Sequence, residues 1–69
     1  MDYLILVYPD GTPVGLDNFS GGYPVRSTRL IRTYTWRSEE ERERYLKMFE
    51  KEGFKKATLR VEVVDIQEN

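Results

Sequence analysis

Residues 21–38 (GGYPVRSTRLIRTYTWRS) concentrate four arginines and three aromatic side chains and contain no acidic residue. Arginine presents its N–H donors in a planar fork that matches carboxylates and phosphates, and it stacks on aromatic rings. Arginine, tyrosine and tryptophan are also the residues that most often dominate the energy of protein interfaces. The chemistry available to this stretch is therefore the recognition of an anionic or planar group.

Composition excludes the common forms of catalysis. The chain has no cysteine and no histidine, so Cys nucleophiles, His-based proton transfer and the usual Cys/His zinc sites are ruled out. The acidic run at residues 39–43 is typical of a solvated helix start rather than of two carboxylates that face each other in a cleft. We therefore expect a protein that is not an enzyme and that uses no metal and no cofactor.

Two other clusters have simpler interpretations than ligand binding. Asp10, Asp17 and Asn18 could supply oxygen ligands to calcium, but the EF-hand spacing is absent and turns explain these residue types. The glycines do not form a phosphate-binding loop, because the GxxxxGK[ST] pattern is absent and no predicted helix follows them directly.

The net charge of −1 conceals an uneven distribution. Residues 1–38 carry four arginines against three aspartates, whereas residues 39–69 carry nine acids against seven bases. The basic middle of the chain falls short of the charge expected of a dedicated nucleic-acid binder. With 69 residues, the chain is long enough for a single domain, 1–69, near the lower size limit for independent folding.

The first half of the chain predicts a hairpin and one further strand. Residues 3–9 are apolar on both faces and predict a central strand, followed by the turn Pro9-Asp10-Gly11 and a short return strand at 12–16. Residues 16–24 predict an irregular loop. Residues 28–37 are rich in Thr, Ile, Tyr and Trp and predict a strand. Its period-two core face comprises Leu30, Arg32, Tyr34 and Trp36, with Arg32 in need of an acidic partner or a route to water.

The second half predicts one helix and a last strand. Ser38-x-x-Glu41 is a capping-box pattern, and Arg42, Tyr45, Leu46 and Phe49 form one stripe of the helix that follows. Gly53 is placed to end the helix, and residues 57–66 alternate as a strand with Ala57 and Leu59 inward. The predicted fold class is α+β: a small antiparallel or mixed sheet of three to four strands (β-β-loop-β-α-β) with one helix packed on one face.

The beginning of the chain carries no pattern of a secretory signal. Met1-Asp2 lacks a basic leader, and the apolar run at residues 3–8 is too short for a signal core or a membrane span. Together with the absence of cysteine, this predicts a cytoplasmic location and no membrane partner.

The pieces taken together resemble a pattern found in small uncharacterised phage and prophage proteins. The matching segments are Asp10-Gly11, Gly21-Gly22-Tyr23-Pro24, Trp36-Arg37-Ser38-Glu39-Glu40-Glu41, Tyr45-Leu46-x-x-Phe49 and Val61-Glu62-Val63-Val64. The resemblance covers most of the chain and implies no activity. It does imply a phage-type accessory protein that works in the host cytoplasm by occupying a target.

Within residues 21–38, the side chains left over from the predicted core and helix are Tyr23, Arg26, Arg29 and Arg37. We expect these four residues to form a patch that binds a partner. An acidic protein surface suits them best, because the acidic second half of the chain disfavours nucleic acid. Two alternatives remain open: a nucleic acid or nucleotide held by the same patch, and a structural homodimer formed through an exposed strand edge.

Overall fold

The computed structural model describes residues 2–17 and 22–60, and these form an α+β fold, as predicted. The regular elements are β1 (Asp2–Val7), β2 (Val14–Asp17), β3 (Tyr23–Arg26), α1 (Glu39–Met48) and β4 (Lys55–Arg60). Two short 3₁₀ helices span Leu30–Arg32 and Glu50–Glu52.

The four described strands form two small antiparallel sheets rather than one sheet. β1 pairs with β4, with Ile5 opposite Ala57, and β2 pairs with β3, with Gly15 opposite Val25. β3 lies partly within residues 16–24, which the sequence predicted to be a loop. After the helix, the chain enters β4, which pairs with the first strand, β1.

The predicted turn at Pro9-Asp10-Gly11 is confirmed, whereas the strands that flank it, β1 and β2, pair only next to the turn and then separate. The Gly11 N–H donates to the Tyr8 carbonyl at 2.8 Å, with Gly11 at a φ of 90°, and Val7 bridges Pro13. Beyond this bridge, β1 and β2 no longer pair with each other, and each forms backbone hydrogen bonds with another segment. The segment 34–36 donates from Tyr34 N to Val14 O at 3.0 Å and from Trp36 N to Leu4 O at 2.9 Å. β1 therefore has backbone partners on both edges, as its apolar faces predicted.

The strand predicted at residues 28–37 is wrong. The Ser27 hydroxyl donates to the Arg29 carbonyl at 2.6 Å, and the backbone then makes the 3₁₀ helix Leu30–Arg32. Local side-chain-to-backbone bonds of this kind compete with strand pairing. The predicted core face fails with the strand, because Leu30 is 62% exposed and only Trp36, at 7%, is buried. Arg32 lies exposed, so it needs no buried acid.

Helix α1 begins where the sequence predicts, but it ends at Met48, and Gly53 ends the 3₁₀ helix that follows. The Ser38 hydroxyl accepts a hydrogen bond from the Glu41 N–H at 3.1 Å, and acidic side chains fill the first turn. After the 3₁₀ helix Glu50–Glu52, Gly53 takes the left-handed conformation, with a φ of 72°. Phe54 follows in a buried position, with its ring edge-to-face on Tyr8 at 4.9 Å.

The core lies between β1, the start of β2, the segment around Trp36 and the helix. Its buried members are Leu6, Tyr8, Val14, Trp36 and Phe54, with Leu4, Tyr45, Leu46 and Phe49 packed against them. In β4, Ala57 and Leu59 are half-buried and their neighbours are exposed, which confirms the alternation as far as residue 60. The rest of the predicted strand 57–66 lies outside the described residues.

Arg42 occupies the helix stripe as predicted and is buried, at 5% exposure. Its Nη1 donates to the Ala57 carbonyl at 2.9 Å and to the Ile5 carbonyl at 3.3 Å, and its Nη2 pairs with Glu39. Since Ile5 and Ala57 are opposite each other in the sheet, one guanidinium joins α1 to both β1 and β4.

Candidate functional site

The four predicted site residues, Tyr23, Arg26, Arg29 and Arg37, are all exposed, but the structure gives them different neighbours. Tyr23 lies at the start of β3, with its ring 5.7 Å from that of Phe49 at the end of the helix. Behind it, the Tyr45 hydroxyl donates to the Gly22 carbonyl at 2.9 Å. Burial raises the pKa of Tyr45 to about 12, so this donor keeps its proton across the physiological range. Tyr23 therefore lies where the β2–β3 sheet contacts the end of helix α1.

Arg26 is held by the first hairpin. Its guanidinium forms an ion pair with Asp10 and lies over the ring of Tyr8, 4.3 Å from the ring centroid. Asp10 also accepts from the Thr12 N–H at 2.9 Å, and this bond, assisted by Arg26, lowers the pKa of the Asp10 carboxyl. Because Arg26 already has an anion and a ring as partners, its first role is to tie β3 to the first turn.

Arg29, Arg32 and Arg37 differ from Arg26 in having no ion pair with any described residue. Arg29 and Arg32 bracket the 3₁₀ helix, and Arg37 directly precedes the helix cap Ser38. The sequence did not indicate Arg32 as a candidate for binding, because the predicted strand placed it on the core face. The signal was present, since a charged residue between Leu30 and Tyr34 contradicted that face assignment.

A half-open groove of about 740 Å³ lies between the β2–β3 sheet and residues 27–35. Its lining includes Gly15, Leu16, Asp17, Val25, Arg26, Ser27, Thr28, Ile31, Arg32, Thr33, Tyr34 and Thr35. At Gly15 a Cβ atom would lie 2.9 Å from the Arg32 carbonyl oxygen. Only glycine lets the 3₁₀ segment approach β2 this closely, so Gly15 sets the shape of the groove.

Three exposed apolar side chains, Val25, Ile31 and Tyr34, line this groove, and Leu30 precedes Ile31 in the chain. Ile31 is 90% exposed, and Leu30, Val25 and Tyr34 are exposed as well. Scattered apolar residues are normal on a protein surface, but a contiguous group of them indicates an interaction site. We call this surface the arginine–apolar face, and it comprises Val25, Arg26, Arg29, Leu30, Ile31, Arg32 and Tyr34.

Two observations on the described part of the chain concern metal ions and membranes. There, no three acidic, histidine or cysteine side chains come together in a group that could hold a metal ion. Among the same residues, no helix has the length and the apolar character needed to cross a membrane.

Comparison with known proteins gives no match to a family model, to a curated protein or to a solved structure. Function is therefore inferred from the chemistry of the arginine–apolar face.

Proposed function

We propose that this protein is a small non-enzymatic binding module that attaches to an acidic partner protein through the arginine–apolar face. The observation that carries the proposal is Ile31, which is 90% exposed between Arg29 and Arg32. Fully burying an isoleucine side chain is worth about 1.5–3 kcal/mol, and this gain is left unused in the free protein. Apolar anchors beside arginine are typical of the centre of a protein interface.

An acidic partner is favoured because Arg29 and Arg32 find no carboxylate among the described residues. Arginine binds carboxylates through two parallel hydrogen bonds, and such bonds are about twice as strong as neutral ones. Apolar contacts around Ile31 would exclude water from these ion pairs and strengthen them further.

Tyr23 and Arg37 were predicted to bind but lie outside the arginine–apolar face, and we propose a peripheral role for them. Tyr23 and Arg37 are exposed at the edges of residues 22–38, where they would contact the rim of a partner. Arg26 contributes by holding β3 in place, since its guanidinium already contacts Asp10 and Tyr8.

Blocking of the partner's surface is the mechanism we propose for such a module. The resemblance to small phage and prophage proteins supports this role, because a short accessory protein commonly acts by occupying its target. In that setting the protein works in the host cytoplasm. This part of the proposal rests on analogy between sequence patterns.

Nucleic acid or nucleotide binding is the weaker candidate. Binding of single strands relies on aromatic rings on which bases stack, whereas the most exposed side chains here, Ile31 and Leu30, are aliphatic. Arg26, which could have bound a phosphate, is already paired with Asp10.

The proposal is tested by affinity capture with matched variants. We expect Ile31→Asp, and separately Arg29→Glu with Arg32→Glu, to abolish capture of the partner from an extract of the source cells. Met48→Asp and Arg44→Glu are the controls, because Met48 is 68% exposed on the helix and Arg44 is exposed on the same element. Arg26→Glu is avoided, since it would place a second carboxylate beside Asp10.

Equal capture by the face variants and the controls would refute the proposal. A salt series separates the alternatives, because binding to single-stranded nucleic acid weakens with a log–log slope of about −0.7 per phosphate contact. A steep slope together with labelled oligonucleotide in the bound fraction would favour nucleic acid.

A further inference from the structure

The groove has a different chemical character at its two ends. The register places Arg26 opposite Val14 at one end of the β2–β3 sheet and Asp17 opposite Tyr23 at the other. Arg32 lies toward the first of these ends, with its carbonyl over Gly15. A ligand with carboxylates would therefore be attracted to the end of the groove at which Arg26 and Arg32 lie.

The groove is concave, and polar and apolar side chains share its lining. Ile31 and Val25 present exposed aliphatic side chains, and the groove of about 740 Å³ lies within the range of about 300–1,000 Å³ found for ligand sites. A flat partner surface would leave water in this volume and would make no contact with its lining. A protruding segment with a large apolar side chain would fill it.

Pairing of a partner strand with the edge of β3 is disfavoured. The Ser27 N–H donates to the Pro13 carbonyl at 2.9 Å, so Pro13 and Ser27 form a hydrogen-bonded pair. In an antiparallel sheet, hydrogen-bonded and non-hydrogen-bonded residue pairs alternate, and this bond fixes the alternation along β2 and β3. Leu16 and Pro24 then form a non-bonded pair, and the backbone of Pro24 faces the outer edge, where it has no N–H to offer. Recognition must come from the groove and its side chains.

We infer that the groove is a docking site for an extended acidic peptide segment, with a large apolar side chain inserted against Ile31 and carboxylates bound at Arg32, which lines the groove. This inference rests on the proposed function and narrows it from an acidic protein surface to a protruding peptide. Arg26 adds positive charge at the same end of the groove while it remains paired with Asp10.

The test uses a display library of random short peptides selected on the intact protein. We expect the enriched peptides to carry more than one carboxylate around a large apolar residue. Added to ¹⁵N-labelled protein, such a peptide should shift the amide resonances of Gly15, Ile31 and Thr33. Its affinity should fall about tenfold or more with Ile31→Asp or with Arg32→Glu, as expected for side chains at the centre of an interface. Met48→Asp should bind unchanged.

Several outcomes would overturn the inference. Enrichment of basic or uncharged peptides, or of no peptide at all, refutes it, and so does binding that survives Ile31→Asp. Oligothymidine or ADP that shifts the same resonances would assign the groove to a nucleic acid or nucleotide. A dimer in sedimentation that Ile31→Asp abolishes would assign it to a second copy of the chain. If peptides fail while capture of the partner still depends on the face, the inference is wrong and the proposed function stands.

Discussion

At the residue scale, the arginines that look alike in the sequence have three different environments. Arg42 is buried against two strand carbonyls, Arg26 is clamped by Asp10 and Tyr8, and Arg32 is exposed beside Ile31. Burial and the partner of each guanidinium therefore decide which arginine stabilises the fold and which is available for binding.

Arg42→Ala should destabilise the protein by about 2–4 kcal/mol, because it leaves buried carbonyls without a donor and opens a cavity under the helix. Chemical denaturation measures this free energy of unfolding. Arg44→Ala is the matched control on the same helix, and its exposed side chain should cost less than about 0.5 kcal/mol. Equal effects of the two substitutions would contradict the structural role of Arg42.

Tyr45 makes the stability sensitive to alkaline pH. Its pKa is raised from 10.0 to about 12, chiefly by burial, so the unfolded chain loses this proton before the folded protein does. The contribution is fully present below pH 10.0, the unfolded value, and is lost as the pH rises through about 12. We expect Tyr45→Phe to remove this part of the alkaline loss of stability. At neutral pH it should cost about 1 kcal/mol, through the lost bond to Gly22.

Absorbance titration of the tyrosines, with denaturation at several pH values, checks the expectation for Tyr45. The folded wild-type protein should show one more late-titrating tyrosine than the variant does. Identical titration curves for the two proteins would show that the Tyr45 hydroxyl is not protected.

At the element scale, the sequence predicts features that depend on neighbouring residues, such as turns and helix caps, better than it predicts strand pairing. The turn at Gly11 and the cap at Ser38 depend on a few neighbouring atoms, and both are confirmed, while Gly53 takes the left-handed conformation after a 3₁₀ helix and not at the end of α1. A strand needs a partner that the sequence does not name. In residues 28–37, β propensity is overridden by the bond from Ser27 to the Arg29 carbonyl, and only the segment 34–36 finds strand partners.

Gly15 is the position at which the shape of the groove can be tested. In Gly15→Ala, the new Cβ would lie 2.9 Å from the Arg32 carbonyl, a backbone atom that can yield only by moving the 3₁₀ segment. We expect a loss of about 1–3 kcal/mol in the free energy of unfolding. The amide resonances of Arg32 and Thr33 should also shift. Unchanged resonances at these two amides would show that the segment does not depend on the close approach.

At the scale of the whole molecule, the sequence predicts the α+β class but not the division into two sheets. The division follows from the wedge of residues 34–36 between β1 and β2, which joins positions far apart in the chain. The sequence indicated only some residues of the candidate site, because the structure of residues 28–37 also depends on contacts between distant positions. Arg26 and Arg29 belong to the arginine–apolar face, whereas Leu30, Ile31 and Arg32 were not predicted to bind, because residues 28–37 were predicted to be a strand and not to contain a 3₁₀ helix.

The small size of the molecule gives the exposed apolar side chains their significance. A chain of 69 residues buries only about 60% of the surface that it exposes when unfolded, and this one has no disulfide. The exposed side chains of Ile31 and Leu30 add no buried apolar area to a core that is already small. A partner that covers these side chains would recover this free energy.

The most direct test of the binding role compares Ile31→Asp with Met48→Asp in two measurements on each protein. Each substitution replaces an exposed apolar side chain with a carboxylate, so both variants should unfold within about 0.5 kcal/mol of wild type. We expect Ile31→Asp to lose capture of the acidic partner and Met48→Asp to retain it. Retention of the partner by a folded Ile31→Asp protein would contradict the assignment of function to the arginine–apolar face.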